Sequence, residues 1–259
     1  MWRIIKVLFE TQYAYMLEYR AELWLWVLAG STPIILMGVW QHAAADGQFG
    51  LSSIEFIRYF LVVFVVRQIS VVWVIYEFER EVVEGTLSSK LLQPLDPAWH
   101  HLISHISERF ARFPFIILLL FLGLALYPQA AWWPGWLQIL QFSVVTMMTF
   151  GLRFLMQYTF ALCAFWTERA MAIEQFWFLL YLFLSGMIAP IELFPQQMQD
   201  FLVWTPFPYM IHFPAAILVG LPVNVGRGFL MMGMWSGIFW VINRYLWKHG
   251  IKKYSGMGA

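Results

Sequence analysis

Residues 77–97, EFEREVVEGTLSSKLLQPLDP, form the densest cluster of charge in the chain and lie between two long apolar runs. The surrounding sequence is very apolar: of its 259 residues, 61% are hydrophobic and 12% are charged, and the mean hydropathy is +0.66. Soluble domains carry about 25% charged residues, so this chain lacks the polar surface of a water-soluble fold. The composition therefore predicts an all-α integral membrane protein in which residues 77–97 are the main hydrophilic connection.

Six transmembrane helices are predicted, because the chain contains six apolar runs close to the length of about 20 residues that crosses a bilayer. Asp96 followed by Pro97 is typical of a helix N-cap with proline at the first helical position, so a helix is expected to begin there. Pro33 falls inside the first run, where neighbouring helices are expected to satisfy the carbonyl that it frees. The predicted spans are 23–41, 56–76, 106–127, 138–166, 171–190 and 228–247.

Two segments outside these spans are also apolar. Residues 1–22 place Ile5, Leu8 and Phe9 at helical spacing among charges, which predicts an N-terminal interfacial helix. A frayed cytosolic tail is the alternative. Residues 191–226 are rich in proline and apolar side chains and poor in charge, which predicts a re-entrant outer segment of short helices between spans 5 and 6. A loop lying flat on the headgroups is the alternative.

The distribution of lysine and arginine predicts the orientation. If the N-terminus is cytosolic, most basic residues fall on the cytosolic side, and the outer side keeps only Arg58 and Arg227. We therefore expect both termini in the cytosol, together with residues 77–105. The whole chain, residues 1–259, is expected to form a single transmembrane domain.

The cytosolic segment 77–105 combines acidic residues with leucines at regular spacing. The spacing is i, i+4, i+8, which predicts one apolar stripe beside an acidic cluster. A short amphipathic element of this kind can dock in a groove on a soluble partner, and the alternative is a solvated loop whose charges only flank the spans. The stripe is Val83, Leu87 and Leu91, and the acidic cluster includes Glu81 and Glu84.

The run EREVVEGTLSSKLLQPL resembles the cytosolic loop that follows the second span in type-2 ATP-binding-cassette (ABC-2) export permeases. That family's loop has an acidic residue, then Glu-Gly-Thr-Leu, paired leucines and a Pro-Leu step. The order of amphipathic start, six spans and re-entrant outer segment is similar too, and the tail 253–256 resembles the family weakly. The resemblance implies that the loop contacts an ATP-binding subunit; the candidate contact residues are Glu81, Glu84, Gly85, Thr86, Leu87, Leu91 and Pro94.

The resemblance also implies a function and its partners. The chain would be the permease of an ATP-driven exporter in a bacterial inner membrane, assembled with cytosolic ATPase subunits, a second identical or related permease chain, and membrane lipids. It implies no cofactor on this chain, since ATP and Mg²⁺ would bind to the partner ATPase. The exported substrate is not specified.

Several functions are disfavoured by what the sequence lacks. It contains no G-x-x-x-x-G-K-[ST] phosphate loop, so the chain itself is not expected to be an enzyme that hydrolyses ATP. Its basic residues form no solvated face for nucleic acid. Two other classes stay open as alternatives: a carrier driven by an ion gradient, and a membrane-embedded enzyme that modifies lipid.

Two arginines fall inside predicted spans, Arg67 in the second and Arg153 in the fourth. A charge within a membrane costs about 2.5–3.5 kcal/mol on insertion scales and usually marks function. No carboxylate is expected at matching depth, because Glu174 is placed near the cytosolic end of the fifth span. We expect the arginines to line the transport pathway or a subunit seam, or to be structural and bonded to backbone carbonyls.

Two further patterns are less specific. Gly233 and Gly237 form a G-x-x-x-G step in the last span, which predicts close packing against a helix of this chain or of another subunit. His101 and His105 have the i, i+4 spacing of a metal pair, but no acidic or cysteine ligand accompanies them at a fixed offset. Interfacial histidines are therefore favoured, and no metal site is predicted.

Overall fold

The computed structural model describes residues 2–44, 50–167 and 169–254, and within these ranges the chain is helical and contains no strand. Turns and short 3-10 segments join the α-helices. The helices are α1 (Trp2–Glu18), α2 (Arg20–Ala29), α3 (Thr32–Ala43), α4 (Ser53–Ser70), α5 (Val74–Val83), α6 (Leu87–Leu91), α7 (Pro97–Leu126), α8 (Trp136–Ala161), α9 (Met171–Leu184), α10 (Gln196–Leu202), α11 (His212–Val219) and α12 (Val225–Gly250).

Five helical stretches of the described chain are long and apolar enough to cross a membrane, and they correspond to five of the six predicted spans. The start of α7 is also confirmed, because Asp96 is its N-cap and accepts a hydrogen bond from the amide of Ala98 at 2.9 Å. The five stretches are Arg20–Ala43, Ser53–Val83, Pro97–Leu126, Trp136–Phe165 and Val225–Gly250.

The sixth predicted span, residues 171–190, corresponds to the shorter helix α9 of 14 residues. At 1.5 Å per residue α9 is about 21 Å long, less than the hydrocarbon core of about 30 Å. Gly186 lies just beyond its end with φ of +88°, and a Cβ there would lie 2.6 Å from the hydroxyl of Tyr59. The apolar run therefore continues past the helix that it was expected to form, and six complete spans stay a prediction.

The first membrane stretch consists of two helices, because the chain leaves the helical path between Ala29 and Thr32. Pro33 lies in the first turn of α3, where a backbone N–H has no helical partner in any case. The helical path therefore breaks just before Pro33, and, as expected, a neighbouring helix satisfies carbonyl groups there: from α4, Gln68 donates to the carbonyl oxygen of Val27 at 2.8 Å and Arg67 donates to that of Gly30. Gly30 lies close to α4 at the break, since a Cβ there would lie 2.6 Å from Nε2 of Gln68.

Helix α4 is at the centre of the bundle. Most of its side chains are buried, and it packs against α3, α7, α8 and α11. The phenyl rings of Phe56, Phe60 and Phe64 are fully buried. Helices α7 and α8 connect this central helix to the elements of the candidate site, since α8 packs against α5 and α7 against α6.

Helix α1 packs along α7. The ring of Phe9 meets that of Phe110 edge to face at 5.6 Å, and the Ser107 hydroxyl donates a hydrogen bond to the Phe9 carbonyl oxygen at 3.3 Å. Trp2 and Val7 are exposed. An N-terminal helix is present where one was expected, and its position along a lipid surface stays a prediction.

Residues 191–226 form α10, α11 and two 3-10 turns. The stretch 206–217 is buried, and α11 packs against α4 and α8. The amide of His212 donates a hydrogen bond to the carbonyl oxygen of Ser185 at 2.9 Å. Irregular backbone at membrane depth requires such enclosure by protein, which is consistent with a re-entrant course, and that course stays a prediction.

Candidate functional site

Residues 84–95 form a folded loop that joins α5 to α7 and contains α6. Helix α5 ends at Val83, and Gly85 has φ of +76°, a left-handed conformation that glycine adopts without steric cost. Because the chain turns there, α5 and α6 are not one continuous helix. The predicted apolar stripe is therefore wrong: Val83 is half exposed, whereas Leu87 is fully buried.

The candidate contact residues divide between the inside and the outside of this loop. Leu87 belongs to a buried apolar cluster with Phe78 and Phe165, and Leu91 packs partly against that cluster. Leu92, by contrast, is 89% exposed. The helical spacing in the sequence did not indicate Leu92 as a contact residue, although Leu92 lies within the run that resembles the family. We call the exposed residues of the loop the loop surface: Glu84, Thr86, Ser89, Leu92, Gln93 and Pro94.

Tyr254 holds the loop from the C-terminal end of the chain. Its hydroxyl donates a hydrogen bond to the carbonyl oxygen of Gly85 at 2.8 Å and lies 3.1 Å from Oγ of Ser88. Its ring meets that of Phe165 at 6.1 Å. The end of α12 and the loop are therefore on the same side of the bundle. Residues 255 and 256, the rest of the weakly family-like tail, lie outside the described residues.

A cluster of charged groups joins α5, α6 and α7. The imidazole of His101 lies between Glu77 and Glu81, with Nδ1 3.1 Å from the first carboxylate and Nε2 3.4 Å from the second. Lys90 contacts the other oxygen of Glu81 at 2.5 Å. Glu81 thus faces inward rather than toward the loop surface. His101 is buried within the protein, and its position at a membrane interface stays a prediction.

The described residues contain no group of three or more His, Cys, Asp or Glu side chains that could hold a metal ion. His105 has a structural environment instead. Its Nε2 accepts a hydrogen bond from the amide of Trp73 at 2.9 Å, and its Nδ1 donates to the carbonyl oxygen of His101 at 2.8 Å. One backbone donor and one backbone acceptor fix the tautomer of this ring. His105, like His101, is enclosed by protein.

Helices α4 and α5 are separated by a non-helical break at residues 71–73, and α7 binds the backbone groups that the break leaves unpaired. Arg109 donates from Nε to the carbonyl oxygen of Ile69 at 2.7 Å and from Nη2 to that of Val71. The same guanidinium lies 4.1 Å above the ring of Phe150 on α8. The amide of Trp73, in the break, also donates a hydrogen bond to His105 of α7. Together these contacts attach the break to α7.

Arg67 and Arg153 line one cavity of about 210 Å³ beside this break. Glu174 lines the same cavity, so the expectation that no carboxylate lies at matching depth is wrong. Arg67 donates a hydrogen bond to the carbonyl oxygen of Gly30. Arg153 donates to the hydroxyl of Tyr181 at 2.7 Å. The structure thus brings the two sequence-predicted arginines together at one site.

Gly233 and Gly237 lie on a face of α12 that no described helix covers. A Cβ built at either position has no atom within 4 Å. Packing against another helix of the described chain is therefore excluded for this pair. Packing of this pair against another subunit stays a prediction.

A second buried cluster lies where α11 meets α4. Tyr59 donates its only hydroxyl proton to the carbonyl oxygen of Gly186 at 2.7 Å, so Nδ1 of His212, 3.2 Å away, must donate to Tyr59. Nε2 of His212 faces a carboxylate oxygen of Glu192 at 3.4 Å, and that contact requires a proton on one of the two groups. A cavity of about 270 Å³ adjoins this pair.

The five long apolar stretches define a multi-pass membrane protein. A family model described as "ABC-2 family transporter protein" matches residues 27–258, nearly the whole chain. The chain therefore belongs to the ABC-2 transporter family, which confirms the resemblance carried by residues 79–95. No curated protein matches it.

Proposed function

We propose that this chain is the permease subunit of an ATP-driven exporter, and that a separate cytosolic ATPase drives it through the loop surface. Membership of the ABC-2 family supports the proposal, because such a permease implies association with an ABC ATPase. The observation that carries it is Leu92, an 89% exposed leucine at the edge of a folded polar loop. ATP and Mg²⁺ would bind to the ATPase, and the single permease domain would carry no cofactor.

The loop surface has the properties of a docking element. An apolar side chain that seats in a groove of the partner can anchor a docked element, with polar neighbours around it. Leu92 is flanked by Gln93 and Pro94, and Glu84 adds a charge. The bond from Tyr254 to Gly85 holds the loop in place before binding, which lowers the entropy lost on association.

Force applied to the loop would reach the membrane helices through α5. The Glu79 carboxylate on α5 accepts a hydrogen bond at 2.6 Å from the amide of Met171, the first residue of α9. At its other end, α5 meets the break at 71–73, which Arg109 attaches to α7. A non-helical break is a position where a hinge can absorb backbone rotation. Nucleotide-driven closure of the ATPases would thus bias α5, α7 and α9 between two arrangements.

The assembly would contain a second permease chain, identical or related, in the inner membrane of a bacterium with both termini cytosolic. The uncovered face of α12 at Gly233 and Gly237 supports a subunit seam there, because small residues let helix backbones approach closely in membranes. Membrane lipids would cover the remaining apolar surface.

The test is co-purification of the tagged chain from its native membrane, with identification of any soluble protein that carries a phosphate-loop motif. Glu84→Lys is expected to reduce the amount of ATPase recovered and to uncouple ATP hydrolysis from export. Glu18→Lys, a matched charge reversal at an exposed residue of α1, serves as the control. If Glu84→Lys recovers as much ATPase as wild type and still couples ATP hydrolysis to export, the loop surface is not the contact with the ATPase.

One observation favours a second candidate, a carrier coupled to an ion gradient. The buried His212 and the partly exposed Glu192 face each other at 3.4 Å next to a cavity, where a proton could pass between them. In vesicles that contain the chain alone, a pH gradient would then drive substrate uptake, and His212→Gln would abolish it. Absence of gradient-driven uptake by the chain alone, with uptake restored by ATPase and ATP, rejects this candidate.

A further inference from the structure

The cavity that contains Arg67 and Arg153 has an unusual balance of charge. Arg153 is 6% exposed and Glu174 is 7% exposed, while Arg67 is partly buried. Neither arginine is within ion-pair distance of a carboxylate among the described residues. Two guanidinium groups and one carboxylate therefore leave the cavity with one uncompensated positive charge. A partly buried charge of this kind is costly unless a partner neutralises it.

The polar atoms that face this cavity are incompletely bonded. Nη1 of Arg153 donates to the hydroxyl of Tyr181 at 2.7 Å and to Oγ of Ser70 at 3.3 Å, but its Nε has no partner in the described chain. Oε1 of Glu174 accepts from Gln157 at 2.6 Å, whereas Oε2 of Glu174 and Oε1 of Gln157 have none. Buried polar atoms are nearly always hydrogen-bonded, so unpaired atoms around a cavity point to a ligand.

A neighbouring cavity continues the site. Its volume is about 230 Å³, and Arg67, Val71 and Trp73 line both cavities. Arg112 also lines the neighbouring cavity, but its charge is already paired with Glu108. Arg67 therefore lies between the two cavities, where its guanidinium can reach a ligand in either.

The rim of the site is apolar and aromatic. Tyr76 and Phe178 line the cavity that holds Arg153, and each is 41% exposed. A ligand with a small anionic head and an apolar body would place the head between the arginines and the body over these rings. Guanidinium groups bind phosphate oxygens through paired hydrogen bonds, and a phosphodiester carries the single negative charge that the site lacks.

We infer that the cavity between α4, α8 and α9 binds the monoanionic phosphodiester head of a lipid-like amphiphile, with Arg67 and Arg153 as its ligands. The inference depends on the proposed function only where the amphiphile is regarded as cargo. A membrane lipid that stays bound in the same site satisfies the same chemistry.

The probe is phosphatidylglycerol, supplied to the purified full-length chain in nanodiscs of phosphatidylcholine with and without this lipid. Native mass spectrometry measures how much phosphatidylglycerol stays bound after exchange into phosphatidylcholine. Arg153→Gln and Arg67→Gln are each expected to lower retention about tenfold, because each removes a charge-assisted hydrogen bond to the head. Glu174→Gln is expected to raise retention, since it removes the competing carboxylate yet keeps a partner for Gln157.

Arg169→Gln is the matched control, because Arg169 is an exposed arginine outside the cavity. Wild-type retention in both Arg153→Gln and Arg67→Gln, or an equal loss in Arg169→Gln, overturns the inference. If Arg153→Gln does not fold, the other two variants test the inference, because Arg67→Gln is expected to lower lipid retention and Glu174→Gln to raise it. Similar retention in these two variants also overturns the inference.

Hydrolysis of ATP by the complex distinguishes the two sources of the ligand. Stimulation of hydrolysis by phosphatidylglycerol identifies cargo, and retention without stimulation identifies a resident lipid. If the arginine variants lose phosphatidylglycerol but still co-purify with normal amounts of ATPase, the result supports the lipid site and does not contradict the proposed function. An ATPase that never co-purifies would reject the proposed function without affecting retention of the lipid.

Discussion

Arg109 on α7 donates a hydrogen bond from Nε to the carbonyl oxygen of Ile69 on α4 at 2.7 Å. This bond crosses from the third membrane stretch to the second at the point where the helical path of the second is interrupted. It explains how a break at 71–73 can exist inside an apolar segment: the carbonyl groups that lose their helical partners receive side-chain donors instead. The connection from the loop surface to the bundle therefore passes through this break, which the proposed function makes a hinge.

Replacing Arg109 with methionine is expected to weaken this hinge. Arg109→Met leaves the carbonyl oxygens of Ile69 and Val71 without their donor, at a cost of about 1–3 kcal/mol for each unpaired group. Thermal unfolding of the purified chain in detergent measures the loss. Arg80→Met, which changes an exposed arginine on α5, is expected to leave the midpoint unchanged. Equal midpoints for wild type and Arg109→Met would show that the hinge does not depend on this side chain.

Removing the Tyr254 hydroxyl is expected to loosen the loop without unfolding the bundle. Tyr254→Phe removes the bond to Gly85, worth about 0.5–1.5 kcal/mol, and keeps the ring against Phe165. Hydrogen exchange measured for peptides spanning residues 84–92 should become faster, while exchange in α4 does not change. Tyr245→Phe is the control, because that tyrosine is 63% exposed. Unchanged exchange in the loop would mean that the tail does not hold it.

Glu81 and Glu84 should respond differently although they are three residues apart. Glu81→Gln weakens the contacts to Lys90 and His101 and is expected to cost about 1–3 kcal/mol of folding free energy. Glu84→Gln changes an exposed side chain and should alter stability by less than about 0.5 kcal/mol. Comparing the unfolding midpoints of the two variants checks this. The opposite order of midpoints would contradict the inward position of Glu81.

The glycine pair on α12 provides a test of the subunit seam. Gly233→Ile and Gly237→Ile place bulk where a Cβ meets no atom of the described chain, so the fold of one chain should tolerate them. If this face is the seam, the double variant should shift the chain from dimer to monomer in light scattering of the detergent-solubilised protein. Gly151→Ile, at another helical glycine with open space around it, is the control. An unchanged dimer would place the seam elsewhere.

Much of the fold could be predicted from the sequence, because span length and apolar composition decide where helices can cross a membrane. The start of α7 was predictable from Asp96 and Pro97, since capping is a local property. The break at 71–73 was not, because VVWV is as apolar as its surroundings and the compensating donors come from α7, distant in sequence. Likewise the end of α9 depends on Tyr59 of α4 approaching Gly186.

The candidate site was predictable only in part, for a related reason. The motif correctly indicated the family, but the left-handed turn at Gly85 rotates the following leucines. Leu87 is therefore buried while Val83 is half exposed, whereas one continuous helical stripe would place both on the same face. The meeting of Arg67, Arg153 and Glu174 around one cavity depends on tertiary packing of three helices, which no local pattern contains.

The central claim is that a separate ATPase acts on this chain through its loop surface. The most direct measurement is the affinity of the co-purified ATPase for the chain in nanodiscs, compared between wild type and Leu92→Asp. Because Leu92 is 89% exposed, the substitution should leave the fold intact. It is expected to weaken binding at least about tenfold, as for removal of an interface hot spot, while Leu92→Met binds like wild type. Wild-type affinity in a correctly folded Leu92→Asp chain would contradict the account.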